Sequence, residues 1–303
     1  MLRQRTIQRK VEASGIGLHS GKLVKLRLLP AGVDQGVVFR RVDLEPRQDV
    51  KVKNAEVVST NLASTISEKG VNVSTVEHFV AALSGLGIDN ILVELDGPEV
   101  PIMDGSSATF VYLLKTAGFK EQSNSKKFFE VLEPVTVSED DKWARVDPFF
   151  GFKLDFIVDF PHPLLDKKNK RALIDFESMI FSEEIARART FGFITDVDML
   201  RQKNLALGGG LDNAIVMDKS KILNKEGLRL PNELVMHKAL DAIGDLYLIG
   251  GPILGYYSAY KSGHALNNKL VRTLLSNSAL WRTRSFSSLR EAPNAWSRQW
   301  SWE

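Results

Sequence analysis

A histidine and a carboxylate on one predicted helix are the residues of this sequence best suited to metal chemistry. Pro231 suits the first turn of a helix, and in the segment that follows it His237 and Asp241 stand four positions apart. Side chains at this spacing share one helix face, with Cβ atoms about 5–6 Å apart, so both can reach one small ion. Neutral imidazole and carboxylate are both zinc ligands. An isolated pair of this kind is more often a solvated helix face, so the interpretation needs a third ligand.

His78 is the candidate third ligand, with Glu77 beside it as a candidate base. Ser74 and Glu77 match a capping box, in which the glutamate bonds back to the serine amide, and this structural role competes with catalysis. Adjacent helical side chains diverge by roughly 100°, so His78 could bind a metal while Glu77 takes a proton from attacking water. Because His78 and His237 are far apart in the chain, this is not the His-Glu-x-x-His zinc motif. The two histidines would have to meet across two domains.

Two further histidines and a run of glycines allow more than one interpretation. His264 lies at a loop-to-helix junction, where a capping or surface role competes with a catalytic one. His19 lies in the glycine-bearing loop 15–21, which is only superficially similar to a dinucleotide fingerprint, because its third glycine is displaced and no helix pattern follows. The glycines at 208–210 are typical of a turn rather than a phosphate loop, since no Lys-Ser/Thr pair follows them.

The composition excludes several classes of protein. The sequence has no cysteine, so disulfides, thiolate zinc fingers and iron–sulfur clusters are excluded, and histidine and carboxylate must hold any metal. The net charge of +3 is scattered, so a nucleic-acid partner is not expected, whereas an anionic small molecule is permitted. The basic N-terminus lacks the apolar core of a secretory signal, and the apolar stretches are too short for a bilayer. A cytoplasmic protein without stable membrane insertion is therefore expected.

The periodicity around the candidate residues predicts alternating strands and helices. Polar and apolar residues alternate over 22–29, which is typical of a strand with one buried face. The expected strands are 22–29, 36–39, 90–95, 153–160 and 253–258, and the expected helices are 74–85, 106–117, 182–188, 231–249 and 265–277.

The length and the position of one polar stretch predict two domains. A chain of 303 residues exceeds what one small core usually serves, and the polar stretch 120–127 is typical of an interdomain linker. We predict an α+β fold of two domains with similar layered β/α design, each a sheet packed on helices, with the active site at their interface. The predicted limits are 1–122 for the N-terminal domain, 128–281 for the C-terminal domain and 282–303 for a tail.

Eight segments occur in an order that is far more specific than any single motif. They are GIGLHSG at 15–21, STVEH at 74–78, GLGIDN at 85–90, PIMDGS at 101–106, RTFGF at 189–193, GGGLDN at 208–213, HKALDAIGD at 237–245 and GHALNN at 263–268. Together they resemble the family of UDP-3-O-acyl-N-acetylglucosamine deacetylases, the zinc enzymes that commit Gram-negative bacteria to lipid A synthesis. The resemblance runs from residue 5 to about residue 280, and the tail matches nothing.

The resemblance implies a role for each residue of the candidate site. The implied zinc ligands are His78, His237 and Asp241. Glu77 is implied to be the general base, His264 the general acid, and Thr190 a donor to the developing oxyanion. Asp245 flanks the site, and a carboxylate there would raise the pKa of His264 by favouring its charged form. A base and an acid in opposite protonation states would give a bell-shaped pH–rate curve.

The resemblance also implies the substrate, a UDP-linked acylated amino sugar that loses its N-acetyl group. A small insert at 193–216 of the second domain is implied to receive the 3-O-acyl chain, and a monomer is expected. The residues implied to contact the substrate are Lys238, Phe191, Phe193, Gly209 and His19.

Two other functions compete with this hypothesis. One is a different metal-dependent hydrolase on the same scaffold, which would ignore the acylated UDP-sugar and cleave another amide. The other is a noncatalytic nucleotide-sugar or lipid-binding protein with a structural zinc. Three protein ligands with a carboxylate beside them argue against the second alternative, because structural zinc sites are normally closed by four ligands.

Overall fold

The computed structural model describes residues 1–160, 162–163 and 169–294, and within them it has nineteen strands and five α-helices. The strands are β1 (Arg3–Ile7), β2 (Val11–Ile16), β3 (Leu23–Pro30), β4 (Val37–Arg41), β5 (Gln48–Lys51), β6 (Glu56–Ser59), β7 (Thr65–Glu68), β8 (Val71–Val73), β9 (Ile91–Leu95), β10 (Phe119–Ser125), β11 (Phe128–Val131), β12 (Val135–Glu139), β13 (Lys142–Asp147), β14 (Phe152–Ile157), β15 (Arg171–Asp175), β16 (Phe191–Phe193), β17 (Ile215–Met217), β18 (Ile253–Tyr260) and β19 (Trp281–Arg284). The helices are α1 (Glu77–Leu86), α2 (Ala108–Ala117), α3 (Val197–Gln202), α4 (Glu233–Tyr247) and α5 (His264–Leu275). Short 3₁₀ turns lie at Val52–Asn54 and Ile194–Asp196, and a π turn lies at Phe181–Ile185.

The first layered unit is a five-stranded sheet in the order β2-β3-β9-β4-β5, and in the chain α1 precedes β9 and α2 follows it. In β3 the side chains of Val24, Leu26 and Leu28 are buried while Lys25 and Arg27 are exposed, which confirms the predicted alternation. All ten residues of α1 are buried, so this helix lies inside the molecule. The smaller sheet β6-β7-β8 belongs to the same half of the chain.

The second layered unit is a seven-stranded sheet built around β18. This strand pairs with β11 and β14 in parallel and with β13 antiparallel, and β12, β15 and β19 extend the sheet. Helix α4 packs against β14 and β15, and also against α5 and α1. The α+β prediction, with a sheet and helices in each half, is confirmed.

The two halves meet where α1 lies against α4. At Gly244 in α4 an added Cβ atom would lie 2.1 Å from the carbonyl oxygen of Glu77. No side chain fits in that space, so glycine allows the two helix backbones to touch. The contact brings the first turn of α1, with Glu77 and His78, beside the face of α4 that carries His237 and Asp241.

The structure corrects three local predictions, and the first is the helix expected at 182–188, where a π turn lies at Phe181–Ile185 instead. Helix α1 begins at Glu77 without a side-chain cap, and the Ser74 amide donates to the carbonyl of Pro98 over 2.8 Å. The capping-box interpretation is therefore wrong. The polar stretch predicted to be an irregular linker is largely β10, which pairs antiparallel with β1.

The limits of the predicted domains stay a prediction. The limit at residue 122 falls inside β10 and the limit at 281 falls at the start of β19, which pairs with β11. The predicted tail is described only to residue 294, and the rest of it lies outside the described residues. In the part of the chain that the structure describes, no helix combines the length and apolar character needed to cross a bilayer.

Candidate active site

His78, His237 and Asp241 form one buried cluster at the contact between α1 and α4. Nε2 of His78 and Nε2 of His237 each lie 3.3 Å from Oδ1 of Asp241, and the ligand atoms of the three residues all lie within 4.8 Å of one another. The two imidazole rings meet edge to face, with centroids 4.8 Å apart. Because α1 supplies one residue and α4 supplies two, the cluster exists only where the two halves touch.

The protonation of His237 suits a metal ligand. Its Nδ1 lies 3.0 Å from the carbonyl oxygen of Ala188, and donation to that oxygen leaves the lone pair of Nε2 free to face the cluster. Burial lowers the pKa of His237 to about 3, so the ring is neutral near pH 7. The donor set fits a divalent metal ion, and imidazole with carboxylate is a combination that zinc accepts.

Lys238 pairs with the second oxygen of the Asp241 carboxylate. Its Nζ donates to Oδ2 over 2.8 Å. Burial alone would raise the pKa of Asp241, but His237, Lys238 and His78 outweigh burial and hold that pKa well below its usual value. Burial likewise opposes the charge on Lys238, and Asp241 reverses this effect and raises the pKa of the lysine. Asp241 therefore stays anionic and can offer Oδ1 to a metal.

Glu77 stands in the first turn of α1 with only 2% of its surface exposed. Its Oε2 accepts a 3.0 Å hydrogen bond from the backbone N–H of Ser64. Burial raises the pKa of Glu77, while His264 and His78 oppose that rise. A carboxylate with a raised pKa is a stronger base than one in water, and it is suited to accept a proton during catalysis.

His264 and Asp245 form a hydrogen-bonded pair beside Glu77. Nδ1 of His264 lies 2.8 Å from Oδ2 of Asp245. Burial disfavours the imidazolium form, but Asp245, helped by Glu77 and Asp241, outweighs burial and raises the pKa of His264 to about 9. At neutral pH the ring is therefore protonated, with Nδ1–H donating to Asp245 and Nε2–H available to a second acceptor.

Thr190 lies in a segment that both halves of the molecule hold in place. Its N–H donates to the carbonyl of Gly105 over 2.7 Å, and Ala188, two residues earlier, accepts the hydrogen bond from His237. Gly105 has a φ of 81°, and an added Cβ would lie 2.0 Å from the carbonyl oxygen of Asn213, so this close approach requires glycine. Thr190 thus lies two residues along the chain from the carbonyl that contacts His237.

Phe191 and Phe193 lie half-buried in β16, which pairs in parallel with β17. The ring of Phe191 lies 6.3 Å from that of His237, centroid to centroid, so the insert predicted at 193–216 starts next to the cluster. This insert contains α3 and exposes several large apolar side chains, namely Ile194, Met199, Leu207 and Leu211.

The glycines at 208–210 pack against the loop 15–21. The Gly208 amide donates to the carbonyl of Leu18 over 2.9 Å, and an added Cβ at Gly209 would lie 3.5 Å from Cδ1 of Leu18. The loop 15–21 therefore faces the insert, and the glycines form a turn that fits against it.

His19 lies in this loop, near His264. Its Nδ1 lies 3.4 Å from the amide nitrogen of Ala206, and its buried Nε2 has no hydrogen-bond partner among the described residues. Burial lowers the pKa of His19, His264 adds to the effect, and Glu99 opposes it. A neutral ring with one unused nitrogen is suited to a hydrogen bond with a ligand.

Sequence reasoning missed three residues that hold the site together. Ser64 contacts Glu77, and Asn267 donates to Oδ2 of Asp245 over 2.8 Å. Glu99 accepts hydrogen bonds from the amides of His19 and Ser20 over 2.8 and 3.0 Å. Asn267 stands in the segment GHALNN and could have been suspected, whereas Ser64 and Glu99 lie outside any helical or metal-binding spacing.

Comparisons with known proteins show which family this chain resembles. The family model described as LpxC, UDP-3-O-acyl N-acetylglycosamine deacetylase, matches residues 4–276. A UDP-3-O-acyl-N-acetylglucosamine deacetylase of Xanthomonas campestris pv. campestris is 52% identical over 293 residues, 97% of each chain. Proteins of the same name from Alcanivorax borkumensis and Thioalkalivibrio sulfidiphilus are each 51% identical, over 98% and 96% of each chain respectively.

Proposed function

This chain belongs to the family of UDP-3-O-acyl N-acetylglycosamine deacetylases, and we propose that its buried cluster hydrolyses the N-acetyl group of UDP-3-O-(3-hydroxyacyl)-N-acetylglucosamine with Zn²⁺ as cofactor. The products are acetate and UDP-3-O-(3-hydroxyacyl)-glucosamine, and the reaction is the committed step of lipid A biosynthesis. The observation that carries the proposal is that three metal donors, a buried carboxylate and a protonated histidine meet at one contact between α1, α4 and α5.

The zinc ion would be held by His78, His237 and Asp241. Two imidazoles and one carboxylate would leave the ion with a net positive charge, and three protein ligands are typical of catalytic rather than structural zinc sites. Zinc in such a site acts as a Lewis acid towards a carbonyl oxygen and makes water a better nucleophile near neutral pH.

Glu77 serves as the general base. Its buried carboxylate, with a raised pKa, takes a proton from water as the water oxygen bonds to the acetamide carbon. The carbonyl oxygen then gains negative charge, and the hydroxyl of Thr190 donates a hydrogen bond to it.

His264 serves as the general acid. An amine leaves readily only when it is protonated, and the imidazolium of His264 supplies that proton through Nε2 as the C–N bond breaks. Asp245 keeps the proton available, because its carboxylate accepts Nδ1–H and raises the pKa of the ring to about 9. The fragments that separate are acetate and the free glucosaminyl amine.

The substrate would lie along the surfaces that border the cluster. The ammonium of Lys238 is close to the site and 5.7 Å from the ring centroid of Phe191, which suits a ligand with anionic and apolar parts. Phe193 and the apolar side chains of the insert would line the path of the acyl chain. His19 and Gly209 lie on the facing loops and would contact the sugar side of the substrate.

The decisive test is a deacetylation assay on UDP-3-O-acyl-N-acetylglucosamine. We expect acetate release that stops after treatment with a chelator and returns on addition of stoichiometric Zn²⁺. A different N-acylated sugar nucleotide without the 3-O-acyl chain serves as the control and should react slowly. Undiminished activity in the metal-free protein, or no activity in the zinc-loaded protein, would rule out the proposal.

A further inference from the structure

Ser64 contacts both the base and the residue that orients the acid. We propose that Ser64 is a positioning residue that fixes Glu77 and Asp245 relative to each other across the contact between the two halves. This inference rests on the roles proposed above for Glu77 and Asp245. Ser64 itself is 1% exposed and would touch neither the metal nor the substrate.

Three hydrogen bonds hold Ser64 between the two halves of the site. Its backbone N–H donates to Oε2 of Glu77 over 3.0 Å, and its hydroxyl donates to Oδ1 of Asp245 over 2.6 Å. Its carbonyl accepts the amide of Val76 over 3.4 Å. Every polar group of this serine is therefore directed either at the turn that starts α1 or at α4.

The hydroxyl of Ser64 determines which way the carboxylate of Asp245 faces. Oδ1 accepts from Ser64, whereas Oδ2 accepts from His264 and from Asn267, each over 2.8 Å. With both oxygens bonded, the carboxylate cannot rotate about its Cβ–Cγ bond without breaking a buried hydrogen bond. The ring of His264 is thereby held in one orientation, which general acid catalysis requires.

The backbone of Ser64 fixes the orientation of the Glu77 carboxylate in the same way. A main-chain donor occupies Oε2 and so fixes the direction of the other oxygen, Oε1. Ser64 directly precedes β7, which is paired on both edges by β6 and β8. The donor is thus attached to a sheet rather than to a free loop. Ser64 thus ties the position of the sheet β6-β7-β8 to Glu77 directly and to His264 through Asp245.

The test compares turnover in zinc-loaded variants of the full chain. In Ser64→Ala we expect kcat to fall about 10-fold or more, since a small misplacement of catalytic groups is costly, while KM changes by less than about twofold. Ser64→Thr keeps the hydroxyl and should restore most of the lost kcat. Ser84→Ala, which removes another buried hydroxyl from the same half of the molecule, should leave kcat unchanged.

A hydroxyl that only stabilised the fold would give a different pattern. The proposal is overturned if Ser64→Ala lowers the melting temperature but keeps the wild-type kcat, or if Ser64→Thr is as slow as Ser64→Ala. Should Ser64→Ala fail to fold, Ser64→Cys replaces the hydroxyl by a weaker donor. It should then have an intermediate kcat, and a wild-type kcat in that variant would overturn the proposal.

A double-mutant cycle separates this inference from the proposed function. If Ser64 acts through Asp245, adding Ser64→Ala to Asp245→Asn should cause little further loss of kcat. Fully multiplicative losses would overturn the link between the two residues. Wild-type kcat in Asp245→Asn alone would instead contradict the role proposed for the His264–Asp245 pair.

Discussion

The contact between α1 and α4 has buried charged residues at two places, and they are organised in different ways. In one place, His78, His237 and Asp241 direct three donor atoms at a common point. In the other, beyond the C-terminal end of α1, the ammonium of Lys126 donates to the carbonyl of Gly87 over 2.9 Å and to Asp89.

The second place is a closed set of hydrogen bonds. Asp89 also accepts the amide of Arg5 over 2.7 Å, and the hydroxyl of Tyr247 at the end of α4 donates to the carbonyl of Ile88 over 2.8 Å. These groups tie the two halves together and satisfy one another. Among the described residues, no group of three histidines or carboxylates that could hold a metal lies there.

The comparison shows that a shifted pKa does not by itself identify a catalytic group. Burial raises the pKa of Asp89 and lowers that of Lys126, just as burial raises the pKa of Glu77. The difference lies in the partners. The Lys126 ammonium donates to hydrogen-bond acceptors that surround it, whereas the cluster of His78 brings several lone-pair donors together. The predictions below test this difference, in order of decreasing effect on turnover.

Removal of a cluster ligand should have the largest effect. We expect His237→Ala to lose stoichiometric zinc and to be slower by about 10³-fold or more, the scale on which a metal stabilises developing charge. Metal analysis after gel filtration, together with the acetate-release assay, measures both. His162→Ala, which also removes a buried histidine, should keep its zinc. One tight zinc per chain in His237→Ala would contradict the ligand assignment.

Loss of the base should leave the metal in place. Glu77→Ala is expected to bind zinc normally and to lose about 10²-fold or more in kcat, the usual contribution of a positioned base. Kinetics and metal analysis on the same sample check the two statements. An unchanged kcat would mean that Glu77 serves only as the acceptor for the Ser64 amide.

The His264–Asp245 pair predicts the alkaline side of the pH–rate profile. With the pKa of His264 raised to about 9, the acid form persists through neutral pH, and the rate should fall as pH rises through about 9. In Asp245→Asn the carboxylate that raises this pKa is gone, so the fall should begin at lower pH. Asp218→Asn removes a partly buried carboxylate that accepts the amides of Ser220 and Lys221 outside the site, so this control should keep the wild-type profile. An identical alkaline limb in Asp245→Asn would argue against His264 as the acid.

The same shift makes a prediction about stability. The folded-state pKa of His264, about 9, lies above the ordinary value of 6.5, so the folded protein binds this proton more tightly than the unfolded chain does. The resulting stabilisation is fully present below pH 6.5 and is lost as pH rises through about 9. Urea unfolding at a series of pH values should show that Asp245→Asn lacks this dependence, and a parallel dependence in both proteins would contradict it.

Loss of the Lys126–Asp89 pair should have the smallest effect on turnover and a large effect on stability. Lys126→Met leaves the Asp89 carboxylate, 13% exposed, without its ammonium partner, which costs at most about 3–5 kcal/mol of unfolding free energy, yet kcat of the folded protein should change by less than about twofold. Urea unfolding and kinetics measure the two effects. Lys127→Met, at a side chain that is 58% exposed, should change neither. A large fall in kcat for Lys126→Met would end the distinction between the two places.

Local pattern predicted the parts of the fold that depend on local physics. The alternation over 22–29 and the stripe of His237 and Asp241 each follow from the period of one strand or one helix, and both were found as predicted. The capping box failed because the Ser74 amide has a partner distant in sequence, Pro98. The polar stretch around 120–127 forms β10 because β1, at the other end of the first half, offers an edge for pairing.

The same limit applies to the site. The sequence places His237 and Asp241 together by helical spacing, but nothing local brings His78 to them, and the family resemblance supplied that step. Neither helical spacing nor the family resemblance identified Ser64, because its importance depends on a hydrogen bond to Asp245 across 181 positions of the chain. Contacts of this kind follow from how two layers pack, which no period in the sequence encodes.

Gly244 lets the backbones of α1 and α4 touch at Glu77, and the ligands stand on both sides of that contact. Because His78 stands on α1 and His237 and Asp241 stand on α4, pulling the two halves apart would divide the ligands of a bound metal ion. By thermodynamic linkage, a strain that lowers the metal affinity by a given factor costs correspondingly more free energy when the metal is bound. In a single-molecule stretching experiment, the force at which the halves separate would then be higher when the metal is bound.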